Sequence, residues 1–403
     1  MQNSRQAYVN LALATLAFAV AFIAWSLISP LASQIQKDYG LDNTAVSFLI
    51  AVPVILGSLL RIPMGILTDR FGGRTVFTGL LLFTLLPVAF LGIAGSFWTY
   101  VLGAFFLGAA GASFAVGVPF VNRWFTPDKQ GLALGIYGMG NIGTAVAAFS
   151  MPGLVGAFQG RAGAFWFYLV PVLLMAVLFW LLARDAPGMV KPKSLGDSLV
   201  LLRTEPRVWL FSLFYFLTFG GFVAFANYLP KLLVDWFQLD KGDAGLRAAG
   251  FTVLATLARP VGGWLADKVG GNTVLRIVFA AGPLGALALA WLAGAPDMLL
   301  ATIIFLITAA GLGLGNGAVF KLVAQYYPKN TGLVTGIVGC AGGLGGFFPP
   351  LVLGYVKDAT QTYALGFVFL AIVAVICLGV LIVLHRQQAT PTANTKRASR
   401  TTT

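Results

Sequence analysis

Charge is what this sequence has least of: of 403 residues 10% are charged, thirteen are acidic, one is histidine and two are cysteine. The single His385 and the scattered aspartates provide no cluster that would hold a metal and no nucleophile paired with a base. No glycine-rich phosphate loop opens a soluble helix, and nothing in the chain reads as an enzyme or asks for a cofactor. Cys340 and Cys377 both fall inside apolar runs, so no disulfide is expected. With 58% hydrophobic residues and a mean hydropathy of +0.87, an ordinary soluble domain is excluded as well.

What fills the chain instead is apolar sequence in stretches of about 20 residues, the length that crosses a bilayer as a helix. Twelve spans are read near 8–30, 44–66, 75–94, 99–122, 131–156, 164–184, 208–230, 244–266, 275–293, 299–323, 332–354 and 364–385, which predicts an all-α integral membrane protein in contact with the lipid bilayer. The first run ends in "ISPLAS" but is too long for a signal peptide. A net charge of +13 and a pI near 9.9 would suggest nucleic acid in a soluble protein. Here the basic residues gather in alternate loops, Arg70, Arg74, Arg123, Lys129, Arg207, Lys268 and Lys329 among them, while Lys37, Arg161, Lys231, Lys241 and Lys357 are nearly alone on the other side. The positive-inside rule makes the basic side cytoplasmic and places both termini there, with no nucleic-acid partner implied.

The chain also repeats itself. "RIPMGILTDRFGGR" from 61 returns as "RPVGGWLADKVGGN" from 259, pairing Arg61 with Arg259, Asp69 with Asp267, and Gly72-Gly73 with Gly270-Gly271. Likewise "FTPDKQGLALGIYGMGNIGTA" from 125 matches "YYPKNTGLVTGIVGCAGGLGG" from 326. The expected organisation is a six-helix bundle over 1–184, a cytoplasmic linker over 185–207, a second six-helix bundle over 208–386 and a polar, disordered tail over 387–403. Duplicated bundles meeting at mid-membrane are a transporter design, with substrate between halves that rock. "GILTDRFGGR" and its weaker copy "GWLADKVGGN" resemble the loop signature of the major facilitator superfamily. The resemblance implies its pseudo-symmetric twelve-helix fold, and a latch in which Asp69, Arg70 and Asp267 pair with neighbouring helix ends.

Eight residues of helix separate Arg61 from its turn, about 12 Å, which sets Arg61 and Arg259 near the middle of a core about 30 Å thick. A charge at that depth costs at least about 2.5–3.5 kcal/mol, and such residues usually face a bundle interior or cavity. One reading has each side chain snorkelling to the interface or capping carbonyls freed by Pro63 and Pro260. The other has both facing the centre, where no acidic residue of the sequence lies at matching depth, so that the missing anion is the substrate. A guanidinium suits a planar oxyanion, to which it offers two parallel hydrogen bonds.

The flanking segments "GLALGIYGMGNIGTAVAAF" (131–149) and "GIVGCAGGLGGFFPP" (336–350) resemble the paired signature segments of the nitrate/nitrite porters, the NarK-type branch of that superfamily. "FYFLTFGGF" (214–222) and "GLGNGAVFKLVAQYYP" (313–328) do so too. The resemblance implies a site for nitrate and nitrite formed by Arg61, Arg259, Asn141, Tyr215, Phe219 and Phe114, with a phenylalanine from the first span, Phe22 being favoured over Phe18. Tyr137 departs from the glycine found there in some members. Read from the residues alone, the aromatics are lipid-facing or packing groups, and Asn141 is equally suited to joining helices. Gly135, Gly140, Gly143, Gly339, Gly343 and Gly346 suit close helix packing. Lys321 reads as a gate or an interfacial anchor, the anchor being favoured. The functional expectation is a monomeric carrier of a bacterial inner membrane that exchanges nitrate for nitrite, with proton-coupled nitrate symport and organic phosphate/phosphate antiport as alternatives.

Overall fold

The computed structural model describes residues 4–187 and 204–389, so most of the expected linker and the tail from 390 onward lie outside the described residues. Every element among the described residues is helical. Eleven stretches are long and apolar enough to cross a bilayer. The eighth span, Lys241–Val269, is long enough at 29 residues, but Arg247 and Arg259 interrupt its apolar run and its glycines dilute the rest. With it the fold has twelve spans.

The two halves are built differently at mid-depth. In the first half the second span divides into Asn43–Leu59 and Arg61–Phe71, because Pro63 has no N–H to offer the carbonyl of Leu59. The fourth divides into Phe97–Leu107 and Ser113–Asn122 around a 3₁₀ stretch, Gly108–Ala112. The fifth divides into Gln130–Gly138 and Gly143–Ala157 around another, Met139–Ile142. The first 3₁₀ stretch is all Gly and Ala and the second holds Gly140 shortly after Gly138, small residues that tolerate the tighter winding, and such turns present their carbonyls less completely to the helix ladder. The corresponding second-half spans, Lys241–Val269, Met298–Tyr326 and Thr331–Thr360, run unbroken.

Glycine is required where the second span turns into the third and the eighth into the ninth: Gly72 and Gly270 have φ of +83° and +87°. These turns mark one side of the protein, called here the Gly-Gly-turn side. The third and sixth spans pack together on one flank, the ninth and twelfth on the other. The sixth and twelfth bury only 33% of their apolar windows, against 78% in the fourth, seventh and eleventh, so the former meet lipid and the latter form the interior. Exposed Trp98, Trp209 and Trp291 suit the bilayer interfaces. Across the centre the second span packs on the eleventh and the fifth on the eighth and tenth.

Candidate anion site

Small residues let the halves approach along these two lines. A Cβ at Gly135 would come within 2.6 Å of Pro260 Cα, and one at Gly336 within 2.5 Å of the Arg61 carbonyl oxygen. Gly65 abuts Gly332 and Gly131 abuts Gly263, backbone to backbone. Of the other glycines read as packing residues, Gly339 lies on the Arg61 side chain and Gly343 on Ser58, both across the halves. Gly140 and Gly143 lie on Phe18 and Ala19 of the first span, and Gly346 on Val223 of the seventh.

Near the Gly-Gly turns each motif aspartate serves the opposite half. Asp267 accepts hydrogen bonds from the backbone N–H of Gly131 (3.1 Å) and Leu132 (2.9 Å) at the start of the fifth span, where Lys129 at the N-cap position gives none. Asp69 accepts from Leu333 N–H (3.2 Å) at the start of the eleventh. Each is also ion-paired, Asp69 to Arg123 at 2.7 Å and Asp267 to Lys321 at 2.6 Å. Lys321 is therefore not an interfacial anchor: it is 7% exposed, neutralises Asp267 and reaches the Pro127 carbonyl of the other half. Arg70 stands outside this arrangement, exposed at the helix end over the ring of Phe71 at 5.2 Å. Two capped helix ends and two backbone contacts close the molecule on the Gly-Gly-turn side.

Above this closure lie the two arginines, 3% and 2% exposed. Neither snorkels. Arg61 donates from Nε to Gly111 O (3.2 Å) and from Nη1 to Gly339 O (2.6 Å); Arg259 donates from Nη1 to Gly138 O (3.1 Å) and from Nη2 to the Tyr215 hydroxyl (3.3 Å). Gly111 and Gly138 lie within and just before the 3₁₀ stretches, so the local winding that glycine permits supplies acceptors to the guanidinium groups.

Aromatic rings complete the enclosure. Both guanidinium groups lie over Phe114 (5.9 and 5.8 Å) and Phe219 (5.0 and 5.3 Å), and Arg259 also over Phe222 (5.8 Å). Tyr215 stacks on Phe219 with centroids 4.9 Å apart, a consequence of their one-turn spacing. Phe320, which sequence reasoning passed over although it stands one residue before Lys321, touches both Tyr215 and Phe114. From the first span it is Phe18 that reaches Phe114 and Tyr137, while Phe22 packs behind it against Trp25. Tyr137 gives its hydroxyl to Ser113 O at 2.8 Å, and its ring fits because Gly117 has no side chain. Asn141 is fully buried and neither amide atom has a partner.

Tyr215 is the ionisable side chain that hydrogen-bonds Arg259. No ion pair involves either arginine among the described residues. From their distances to the Phe219 centroid the two guanidinium carbons are at most about 10 Å apart, where like charges repel by at least about 1.5 kcal/mol at an effective dielectric of 20. Two hydrogen bonds each to neutral acceptors, of about 1.5–3 kcal/mol, do not replace a counter-charge for a group whose burial costs several kcal/mol. The arrangement can hold a small anion.

Comparison with known proteins agrees in scale with this picture. The description "Major Facilitator Superfamily" matches residues 14–350. The chain is 42% identical to the "Nitrite extrusion protein" of Bacillus subtilis over 97% of its own length and 98% of that protein's. It is 42% identical to the "Probable nitrate transporter NarT" of Staphylococcus epidermidis over 96% and 98% respectively. Among solved structures the human organic anion transporter MFSD10 superposes with a TM-score of 0.78 at 15% identity, covering 94% of this chain and all of that one, a likeness of fold alone.

Proposed function

The chain belongs to the nitrate/nitrite porter branch of the major facilitator superfamily and is a multi-pass membrane transporter, and on that premise we propose that it carries nitrate and nitrite by alternating access, with the anion held between Arg61 and Arg259. The observation that carries this reading is the pair itself: one buried guanidinium from each half, sharing two aromatic faces, with no acidic partner among the described residues. A planar monovalent oxyanion offers acceptors in one plane, the geometry a guanidinium fork matches. Because the arginines come from different bundles, binding one ion ties the movement of the halves to occupancy.

The same electrostatics favours exchange. In the empty carrier the two fixed charges repel and resist the approach that reorientation requires, so return depends on a second anion. No carboxylate or histidine among the described residues pairs with either arginine, which leaves a proton no ordinary carrier at the site. The basic loops support an orientation with the Gly-Gly-turn side and both termini in the cytoplasm, in the inner membrane of a bacterial cell. Asp69 and Asp267 then act as cytoplasmic latches in the closed form.

The test is nitrate uptake into proteoliposomes. Uptake stimulated by nitrite inside the vesicles, and absent from empty vesicles under an inward proton gradient, is the expected result. Uptake into empty vesicles driven by the gradient would replace exchange with symport, and stimulation only by internal phosphate would replace the substrate.

A further inference from the structure

The tenth span carries a second buried asparagine that neither the latch nor the paired arginines use. Asn316 is 2% exposed, and neither its Nδ2 nor its Oδ1 has a hydrogen-bond partner. Its neighbours fix where it lies. A Cβ at Gly315 would come within 2.6 Å of Thr218 Cγ2 in the seventh span, and one at Gly317 would run into the Arg259 carbonyl oxygen in the eighth. The helical period sets Asn316 between those two contacts, on the stripe of Phe320 one turn later. Phe320 in turn meets Tyr215 and Phe114 with ring centroids 4.7 Å away in each case. The carboxamide thus faces the enclosure that holds the Arg259 guanidinium. Thr218 and Thr256, three residues after Tyr215 and three before Arg259, are also buried with unpartnered hydroxyls. An apolar side chain at 316 would avoid the penalty of an unsatisfied buried amide, a penalty that a ligand of the site relieves.

Resting on the nitrate/nitrite reading above, we infer that Asn316 is a further substrate-binding residue, its amide N–H donating to an oxygen of the anion held by Arg259. Asn141 lies three residues past Gly138, whose carbonyl receives Arg259 Nη1. Two unpaired carboxamides, one from each half, therefore flank one guanidinium. A three-oxygen anion can engage both arginines and an amide at separate corners, whereas a two-oxygen anion lacks the third corner. Asn316 accordingly favours nitrate over nitrite.

The experiment measures thermal unfolding of the purified full-length protein with and without each anion, for the natural chain, Asn316→Leu and the smaller Asn316→Ala. The expected result is an anion-free Tm unchanged or raised, since no hydrogen bond is lost, with a nitrate Kd about tenfold weaker and a nitrite Kd changed by less. A nitrate Kd equal to that of the natural chain overturns the inference. A lowered anion-free Tm with equal losses for the two anions also overturns it and makes Asn316 a link between helices. If Leu does not fold, the Ala variant decides by the same criteria. A natural chain that nitrate does not stabilise overturns the nitrate reading itself, and this inference with it.

Discussion

Arg61 reaches out of its own half: its Nη1 stands 2.6 Å from the carbonyl oxygen of Gly339, 278 positions further along the chain. Arg259 makes the reciprocal reach to Gly138 at 3.1 Å. The two glycines are equivalent, each seven residues past the glycine that receives a motif aspartate, Gly131 or Gly332. Each arginine is thus fastened to the other half's signature helix, and each signature helix is capped by the other half's aspartate. Site and latch lie on the same two helices, about two turns apart, so a shift of one moves the other.

Replacing either arginine by lysine keeps the charge but loses the fork. Lysine's three donors share one nitrogen, so it cannot span Gly111 O and Gly339 O as Arg61 does, or Gly138 O and the Tyr215 hydroxyl as Arg259 does, and still offer an anion two parallel bonds. Losing two charge-assisted bonds of about 1.5–3 kcal/mol each should weaken nitrate affinity by at least about 100-fold. Arg61→Lys and Arg259→Lys should remain extractable and monodisperse while uptake in proteoliposomes disappears. Normal uptake by either variant would remove the paired-arginine site.

The latch predicts a shift between conformations rather than a loss of binding. Asp267→Asn removes a charge that caps the fifth span and neutralises Lys321; Asp69→Asn does the same at the eleventh with the more exposed Arg123. Asn still accepts one N–H, so what is lost is a negative charge at a helix N-terminus, worth about 0.3–2 kcal/mol, enough for a change in population of up to about thirtyfold. Spin labels at Lys129→Cys and Lys329→Cys, in a background without Cys340 and Cys377, report the gap between the halves on that side. Both latch variants should enrich the longer distance, Asp267→Asn more strongly. Identical distance distributions in all three proteins would mean that these contacts do not bias the state.

Much of this was legible before any coordinates, for reasons that particular residues make plain. Apolar runs of fixed length and a duplicated motif give the twelve spans and the superfamily fold, since a bilayer leaves the backbone few options. The eighth span is legible as an apolar run even though Arg247 and Arg259 disturb its composition. Lys321 was misread because depth alone does not reveal a partner: Asp267 meets it through tertiary packing between the eighth and tenth spans. Phe18 and Phe22 are one turn apart on one face, so periodicity cannot separate them; the contact of Gly140 with Phe18 does. The 3₁₀ stretches in the fourth and fifth spans have no counterpart in the tenth and eleventh, and a repeat read from sequence hides that difference.

Lys321 offers a test of burial. The pair with Asp267 has side chains 9% and 5% exposed, so removing one member leaves a buried charge without its partner. Lys321→Met should cost about 3–5 kcal/mol. The double variant Lys321→Met with Asp267→Asn should recover part of that, because no isolated charge remains. Thermal unfolding of the four proteins of the cycle gives the coupling directly. Additive losses, with no recovery in the double variant, would return Lys321 to the role of a surface anchor.

Tyr137 separates packing from binding within the site. Its ring stacks on Phe18 at 5.0 Å and on Phe114 at 5.7 Å, but its hydroxyl is committed to Ser113 O on the neighbouring fourth span. A group whose single proton already serves a backbone carbonyl has none left for an anion. Tyr137→Phe should therefore cost about 0.5–1.5 kcal/mol of stability, from one hydrogen bond lost to a carbonyl that also accepts within its own helix, and leave the nitrate Kd and exchange rate within about twofold of the natural chain. Tyr137→Gly should instead open the packing beneath Phe114 and weaken anion binding, because the ring and not the hydroxyl supports the wall over both guanidinium groups. Uptake assays and thermal unfolding on the two variants distinguish these effects. A Phe variant that loses affinity at unchanged stability would place the hydroxyl on the substrate and reassign the departure at this position from packing to recognition.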